Sequence, residues 1–191
     1  MKAISEATDL IINNNPIYSI MIKTGVVNYT SLARKIKAQV ESMMGKEIKL
    51  NTLVKYITGI TPNQEKDYQL EFLKKSNLSV EYKYSEKESS HFEVDEENLC
   101  LLYKMGNIYK SIKKNDPEGN LACIRVTLPE NARRAPGITL FVVEFLELQQ
   151  VNIEKIYRFD LEIMIICQVR EASNVVSKLS DLLFSNLSAQ K

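Results

Sequence analysis

The stretch from Arg133 to Ile156, RRAPGITLFVVEFLELQQVNIEKI, decides the fold. Two arginines run into Pro136-Gly137, an apolar segment of helical length follows, and Val-Asn-Ile restarts the chain. Proline fixes the chain direction and glycine accepts backbone conformations closed to other residues, so the pair predicts an abrupt helix start. A strand is expected just upstream. In LACIRVTL, Ala122, Ile124, Val126 and Leu128 alternate with Leu121, Cys123, Arg125 and Thr127. Downstream, NIEKIYRF and LEIMIICQV predict two strands joined near Asp160. EASNVVSKLSDLLFSN predicts a closing helix with Val175, Leu179, Leu182 and Leu183 on one stripe.

The order β-α-β-β-α across residues 121–187 predicts an open antiparallel sheet with both helices on one face, the split βαβ arrangement. The segment 161–169 puts Leu161, Ile163, Ile165, Cys167 and Val169 on one side, a core face. Glu162, Met164, Ile166 and Gln168 lie on the other, which is too apolar to stand in water. A cover is therefore expected there, either another sheet or another chain.

Upstream, the pattern to about Ile60 is helical. EATDLIINN and PIYSIMIKTG predict two short helices, with Pro16 at a helix start and Gly25 at a stop. NYTSLARKIKAQVESMMG predicts a longer one, capped by Asn28 or Thr30 and ended by Gly45. Its Leu32, Ile36, Val40 and Met43 share a face, and Met43-Met44 reads as core packing. A short helix follows from Asn51 to Gly59. The stretch 61–77 is polar and reads as a linker with some helix. In LSVEYKY, Leu78, Val80, Tyr82 and Tyr84 alternate with Ser79, Glu81 and Lys83, a half-buried strand. SEKESSHFEVDEEN reads as a charged loop in which Asp95, Glu96 and Glu97 are solvated, LCLLYKMGNIYKSI as two strands turning at Gly106-Asn107, and KKNDPEG as a turn.

Composition limits the function classes. The chain has 191 residues, 45% hydrophobic and 26% charged, with net charge +1, an ordinary globular balance. Residues 1–60 carry eight Lys/Arg against four Asp/Glu (+4), 61–120 nine against twelve (−3), and 121–191 eight against eight. Only the N-terminal third favours an anionic partner. Cys100, Cys123 and Cys167 lie far apart in apolar runs and read as reduced, buried thiols of a cytoplasmic protein. His91, the single histidine, has no second histidine to share a metal and reads as a surface residue. No Gly-rich phosphate loop, G-x-S-x-G elbow or H-E-x-x-H is present, so neither catalysis nor a cofactor is expected. Nothing in the sequence reads as a signal peptide or a membrane span.

A strand-to-helix turn points its first backbone N–H groups outward, and the helix dipole suits an anion there. Gly137 lets a ligand approach the backbone, and Arg133 and Arg134 add charge upstream. APGITLFVVEFLELQQVNIEKI followed by LEIMIICQVREASNVVSKLSDLL resembles an ACT domain, an amino-acid-sensing regulatory module. The resemblance covers about residues 120–187, through Pro136, Gly137, Ile138, Asn152, Ile153 and the Glu171-Ala172 that opens the last helix. It implies a ferredoxin-like βαββαβ ACT domain over 119–191 and an amino acid held by Arg133, Arg134, Pro136, Gly137, Ile138, Asn152 and Ile153 at an interface between copies, hence a homodimer or higher even oligomer.

The whole chain resembles archaeal proteins that join a helix-turn-helix-like N-terminus to an ACT pair. That likeness makes residues 1–60 a helix-turn-helix-like domain and residues 78–118 an incomplete ACT-like unit of strands, within an α+β chain. The function implied is a non-enzymatic, ligand-responsive transcriptional regulator. Arg34, Lys35 and Lys37 would contact DNA phosphates, and Asn51, Thr52 and Lys55 would face the groove. LNTLVKYITGI carries Lys55 as its one basic residue, fewer than in such relatives. The alternative is therefore a subunit that binds an amino acid and controls a biosynthetic enzyme without touching DNA.

Overall fold

The computed structural model describes residues 3–61, 68–91 and 97–184. The chain is α+β, with an N-terminal run of helices followed by one antiparallel six-stranded sheet and its covering helices. The helices are α1 (Ile4–Asn13), α2 (Pro16–Thr24), α3 (Tyr29–Met44), α4 (Leu50–Thr58) and α5 (Tyr68–Lys74). Strands β1 (Asn77–Ser89), β2 (Leu99–Met105), β3 (Ile108–Lys113) and β4 (Leu121–Thr127) come next. The order then runs α6 (Ile138–Leu148), β5 (Lys155–Phe159), β6 (Glu162–Gln168) and α7 (Val169–Phe184).

Local chemistry sets the helix ends. Asn15 and Asn28 cap α2 and α3 by accepting bonds from Ile17 and Ser31 N–H at 3.0 and 3.1 Å. Gly25 and Gly45 end them in the left-handed conformation. Leu32, Ile36, Val40 and Met44 form the buried stripe of α3, while Met43 is only partly buried.

The strand order is β2-β3-β1-β4-β6-β5. Ile124 lies opposite Ile165 and Val126 opposite Ile163. With Cys167 they face Phe141, Val142 and Phe145 of α6 and Val175, Leu179 and Leu182 of α7 in one continuous core. That core runs on without a break into Ile12, Met21, Leu32 and Leu53 of the N-terminal helices. Burying side chains of this kind contributes about 1.5–3 kcal/mol each, so the helical block and the sheet share their main source of stability. Within the stretch expected as a linker, α5 buries Leu70 and Leu73 in the same core. The expected strands of 78–118 belong to the same sheet as β4, β6 and β5. In a βαββαβ sheet, the place beside β4 goes to a strand following the last helix; here β1, which precedes β4, fills it. Residues 185–191 lie outside the described residues.

Two expectations along β1 are corrected. Leu78 and Val80 face the helices, but Tyr84 does not continue their side. Pairing with β4 slips between Glu81 and Tyr84, and Lys83 sits at φ 65°. This bulge adds one residue and turns Tyr84 to the opposite face, leaving Tyr82 exposed. The strand then continues through Ser89, in the segment expected as a loop, because Ser85–Ser89 pair with β3. Residues 92–96 of that segment, Asp95 and Glu96 among them, lie outside the described residues, and His91 is exposed.

The bent β1 carries β3 and β2 back over the second sheet face. Met164 and Ile166 are buried there with Tyr84, Ile112, Leu121 and Cys123, and Cys100 and Leu101 pack against them. The missing cover is thus the chain's own β2–β3 hairpin, and these two residues give no reason to expect a second copy. Lys155 of β5 pairs with Glu86 of β1, and the rings of Tyr103 and Tyr157 approach to 6.4 Å, so the curl closes toward its own far edge.

Candidate functional site: the turn into α6

From β4 the chain passes Leu128, whose N–H donates to Leu161 O at 2.8 Å, and makes a 3₁₀ turn at Glu130–Ala132. It then enters α6 through Pro136-Gly137. Gly137 has φ 78°, ψ −5°, and supplies no side-chain cap. The first N–H groups of α6 are left without a side-chain acceptor, as the Pro-Gly pair predicts. Pro136 and Gly137 are exposed and Ile138 is buried as an anchor.

Arg133 is engaged. Its guanidinium bonds Glu130 at 2.8 and 3.1 Å and pairs with Asp160. The Glu130 bond, together with the two carboxylates' charge, holds its pKa above the usual arginine value. Arg133 therefore braces the turn against the β5–β6 connection. Arg134 is exposed.

Three side chains at this turn carry no sequence signal. Gln69 of α5 stands beside Gly137: a Cβ there would lie 3.6 Å from Gln69 Nε2. Arg158 of β5 donates from Nη1 to Thr139 Oγ1 at 3.3 Å, in the first turn of α6. Leu140, beside it, is 60% exposed, which is high for a leucine next to a covered core.

Asn152 and Ile153 do not join this group. They precede β5, which begins at Lys155 rather than Asn152, and they follow the other end of α6. Eleven helical residues separate the two ends, about 16 Å of helix at 1.5 Å per residue. Asn152 is exposed and Ile153 is half-buried. One copy of the chain does not bring Asn152 to Gly137.

The C-terminal half of α6 grips the helical block instead. Lys35 Nζ on α3 lies 3.1 Å from Glu144 Oε1 and 2.9 Å from Glu147 Oε2. Burial alone would lower the Lys35 pKa, but bonds to Glu147 and Glu144 outweigh it and raise the value. Burial, with Glu144 close by, pushes the Tyr18 hydroxyl of α2 up to about 12. The Gln149 amide donates to Val26 O in the α2–α3 connection.

Of the residues expected at DNA, Arg34 is exposed, Lys35 is held by α6, and Lys37 pairs with Glu41 on its own helix. Asn51 and Lys55 are exposed on α4, and the Thr52 N–H donates to Lys49 O at 3.0 Å. Lys55 lines a small cavity with Ser5, Asp9 and Tyr56, on the α1 side of α4.

Cys123 and Cys167 are buried, and burial raises both thiols to about 11, so they are poor nucleophiles and poor metal ligands. Among the described residues, no group of His, Cys, Asp and Glu is placed to hold a metal, and no helix is long and apolar enough to cross a membrane.

No family model and no curated protein matches the chain. Among solved structures it is similar to the aspartate kinase of Clostridium acetobutylicum, described as an allosteric enzyme of amino-acid production, at 8% identity and a TM-score of 0.48. The match covers 57% of this chain and 34% of the kinase, and a likeness of that size carries no functional conclusion.

Proposed function

We propose that the chain is a non-enzymatic regulatory protein of ACT type that senses a small ligand, an amino acid, and passes the signal to its helical block. One observation carries this reading. Helix α6 has the open Gly137 turn at its start and the contacts to Lys35, Tyr18 and Val26 in its second half. A ligand that shifts the turn moves the same rigid element that holds the helices.

In this reading the backbone N–H groups after Gly137 bind the ligand's carboxylate, with Arg134 nearby. Asn152 and Ile153 come from a second copy, since α6 keeps them from the turn of their own chain. The protein is accordingly a homodimer or a higher even oligomer, and its ligand site is complete only in the assembly.

The output is transcriptional: Arg34 and the start of α4, with Asn51 and Thr52, face DNA, and Lys35 is exchanged between α6 and a phosphate. A second reading, control of an enzyme partner, is favoured by Lys35 and Lys37 already sitting in ion pairs. A thermal-shift screen of the twenty amino acids tests the sensing step, because a ligand that binds only the native state raises the melting temperature. A rise that Gly137→Val abolishes supports the turn as the site. A rise left intact by that change places the ligand elsewhere.

A further inference from the structure

A separate cleft lies where the helical block meets the second halves of α6 and α7. Its lining is Gly25, Val26, Val27, Phe145, Gln149, Lys178 and Asp181, and its volume is about 270 Å³. Ligand pockets start near 300 Å³, so this one admits a small molecule and not a nucleotide. Phe145 and Val27 are buried and give it an apolar floor.

The rim is polar and carries both signs of charge. Lys178 and Asp181 are three residues apart on α7, on one side of the helix. Among the described residues, neither has an ion-pair or hydrogen-bond partner, unlike Lys35, Lys37, Lys155 and Arg133, which all do. Gln149 donates its amide to Val26 O, which leaves its own carbonyl oxygen as an acceptor at the cleft.

A free cation, a free carboxylate, an amide oxygen and an apolar floor within this volume match one chemical class. We infer that the cleft binds a free α-amino acid with an apolar side chain. Its carboxylate meets Lys178, its ammonium lies between Asp181 and the Gln149 carbonyl, and its side chain rests on Phe145 and Val27. The ligand joins the α2–α3 connection to α7 and so tightens the helical block against the sheet. The site is independent of the Gly137 turn, which lies seven or more helical residues up α6, about 10 Å or more.

The test is hydrogen exchange on the full-length protein with millimolar L-valine and L-leucine, alongside their amides and N-acetyl forms. The free amino acids are expected to slow exchange at residues 25–28, and the blocked forms are expected to leave it unchanged. Lys178→Met and Asp181→Asn should each weaken binding at least about tenfold, the loss of one charge-assisted bond. The inference is overturned if no free amino acid protects 25–28, or if both α7 variants bind as the wild type does. Protection confined to 133–140 also overturns it, while leaving the reading of the Gly137 turn in place.

Discussion

Lys35 Nζ on α3 lies 2.9 Å from Glu147 Oε2 on α6, across 112 residues of sequence. The pair ties the N-terminal helices to the helix that opens at Gly137, with Glu144 as the third member. The two carboxylates differ in environment: the Glu144 side chain is 14% exposed and that of Glu147 62%. Glu147→Gln is therefore expected to cost less than about 1 kcal/mol, as exposed pairs do. Lys35→Met strands the covered Glu144 carboxylate and should cost about 1–3 kcal/mol. Urea unfolding of the two variants checks the ranking; equal losses would mean that Glu144 finds another partner.

Tyr18 makes the same junction sensitive to alkali. Its hydroxyl is raised from 10.0 to about 12, by burial first and by Glu144 second. Below pH 10 the phenol is neutral in both folded and unfolded chains, and its contribution is fully present. Between pH 10 and 12 the unfolded chain loses the proton first, so stability falls as pH rises. Tyr18→Phe removes this ionisation. The variant should lose less stability than the wild type over that interval, measured by urea midpoints at each pH. Parallel curves would remove Tyr18 from the titrating groups.

Gly119 is fixed by the bulge in β1. A Cβ there would lie 2.6 Å from Tyr84 O, and backbone does not give way as a flexible side chain can. The close approach belongs to the turn that holds the bulge, where Asp116 N–H donates to Lys83 O at 2.9 Å. Gly119→Ala is expected to destabilise by about 1–3 kcal/mol, the usual cost of overpacking. Thermal melting reads this directly, and an unchanged midpoint would show that the turn relaxes freely.

The bulge also marks where the sequence stops being legible. The helix ends at Asn28, Gly25 and Gly45, the alternation in β4 and in β6 as far as Cys167, and the Pro136-Gly137 start are local signals, and the structure follows them; Val169, expected on the core face of that last strand, instead begins α7 and is 42% exposed. The inserted residue near Lys83 leaves no mark in the alternation Leu78, Val80, Tyr82, Tyr84, because it is set by pairing with β4 and β3. Met164 and Ile166 were correctly readable as needing cover. Which segment covers them depends on how β1 bends, a non-local matter. At the turn, Pro136, Gly137 and the arginines are visible in sequence, whereas Gln69 of α5 and Arg158 of β5 are brought there only by the tertiary fold.

The covered second face has its own test. Ile166 is 1% exposed and packs in the small core under β2–β3. Ile166→Ala should cost about 2–5 kcal/mol by urea unfolding, the range for a buried isoleucine. The assembly state should not change with it, since the hairpin and not a second copy covers this residue. Sedimentation at matched concentration makes the comparison. Dissociation of a wild-type oligomer into folded monomers in this variant would return the face to the interface.

The regulatory output is decided by where Lys35 goes. In the proposed transcriptional reading, Lys35 leaves Glu144 and Glu147 to meet a phosphate, so the carboxylates of α6 compete with DNA. Neutralising the exposed one, Glu147→Gln, should then tighten DNA binding several-fold in a mobility-shift series at low salt. Lys35→Ala and Arg34→Ala should each weaken binding across all sequences and reduce the salt slope by about one, the signature of a lost phosphate contact. Lys37 is already paired with Glu41 on its own helix and should matter less. Asn51→Ala should alter sequence preference rather than overall affinity, because asparagine reads adenine edges. An amino acid that binds at the Gly137 turn should change the Lys35 contribution and leave that of Asn51 alone. Absence of any shift, with or without amino acids, would assign the helical block to a protein partner. The same Lys35–Glu147 contact would then report ligand binding through stability alone.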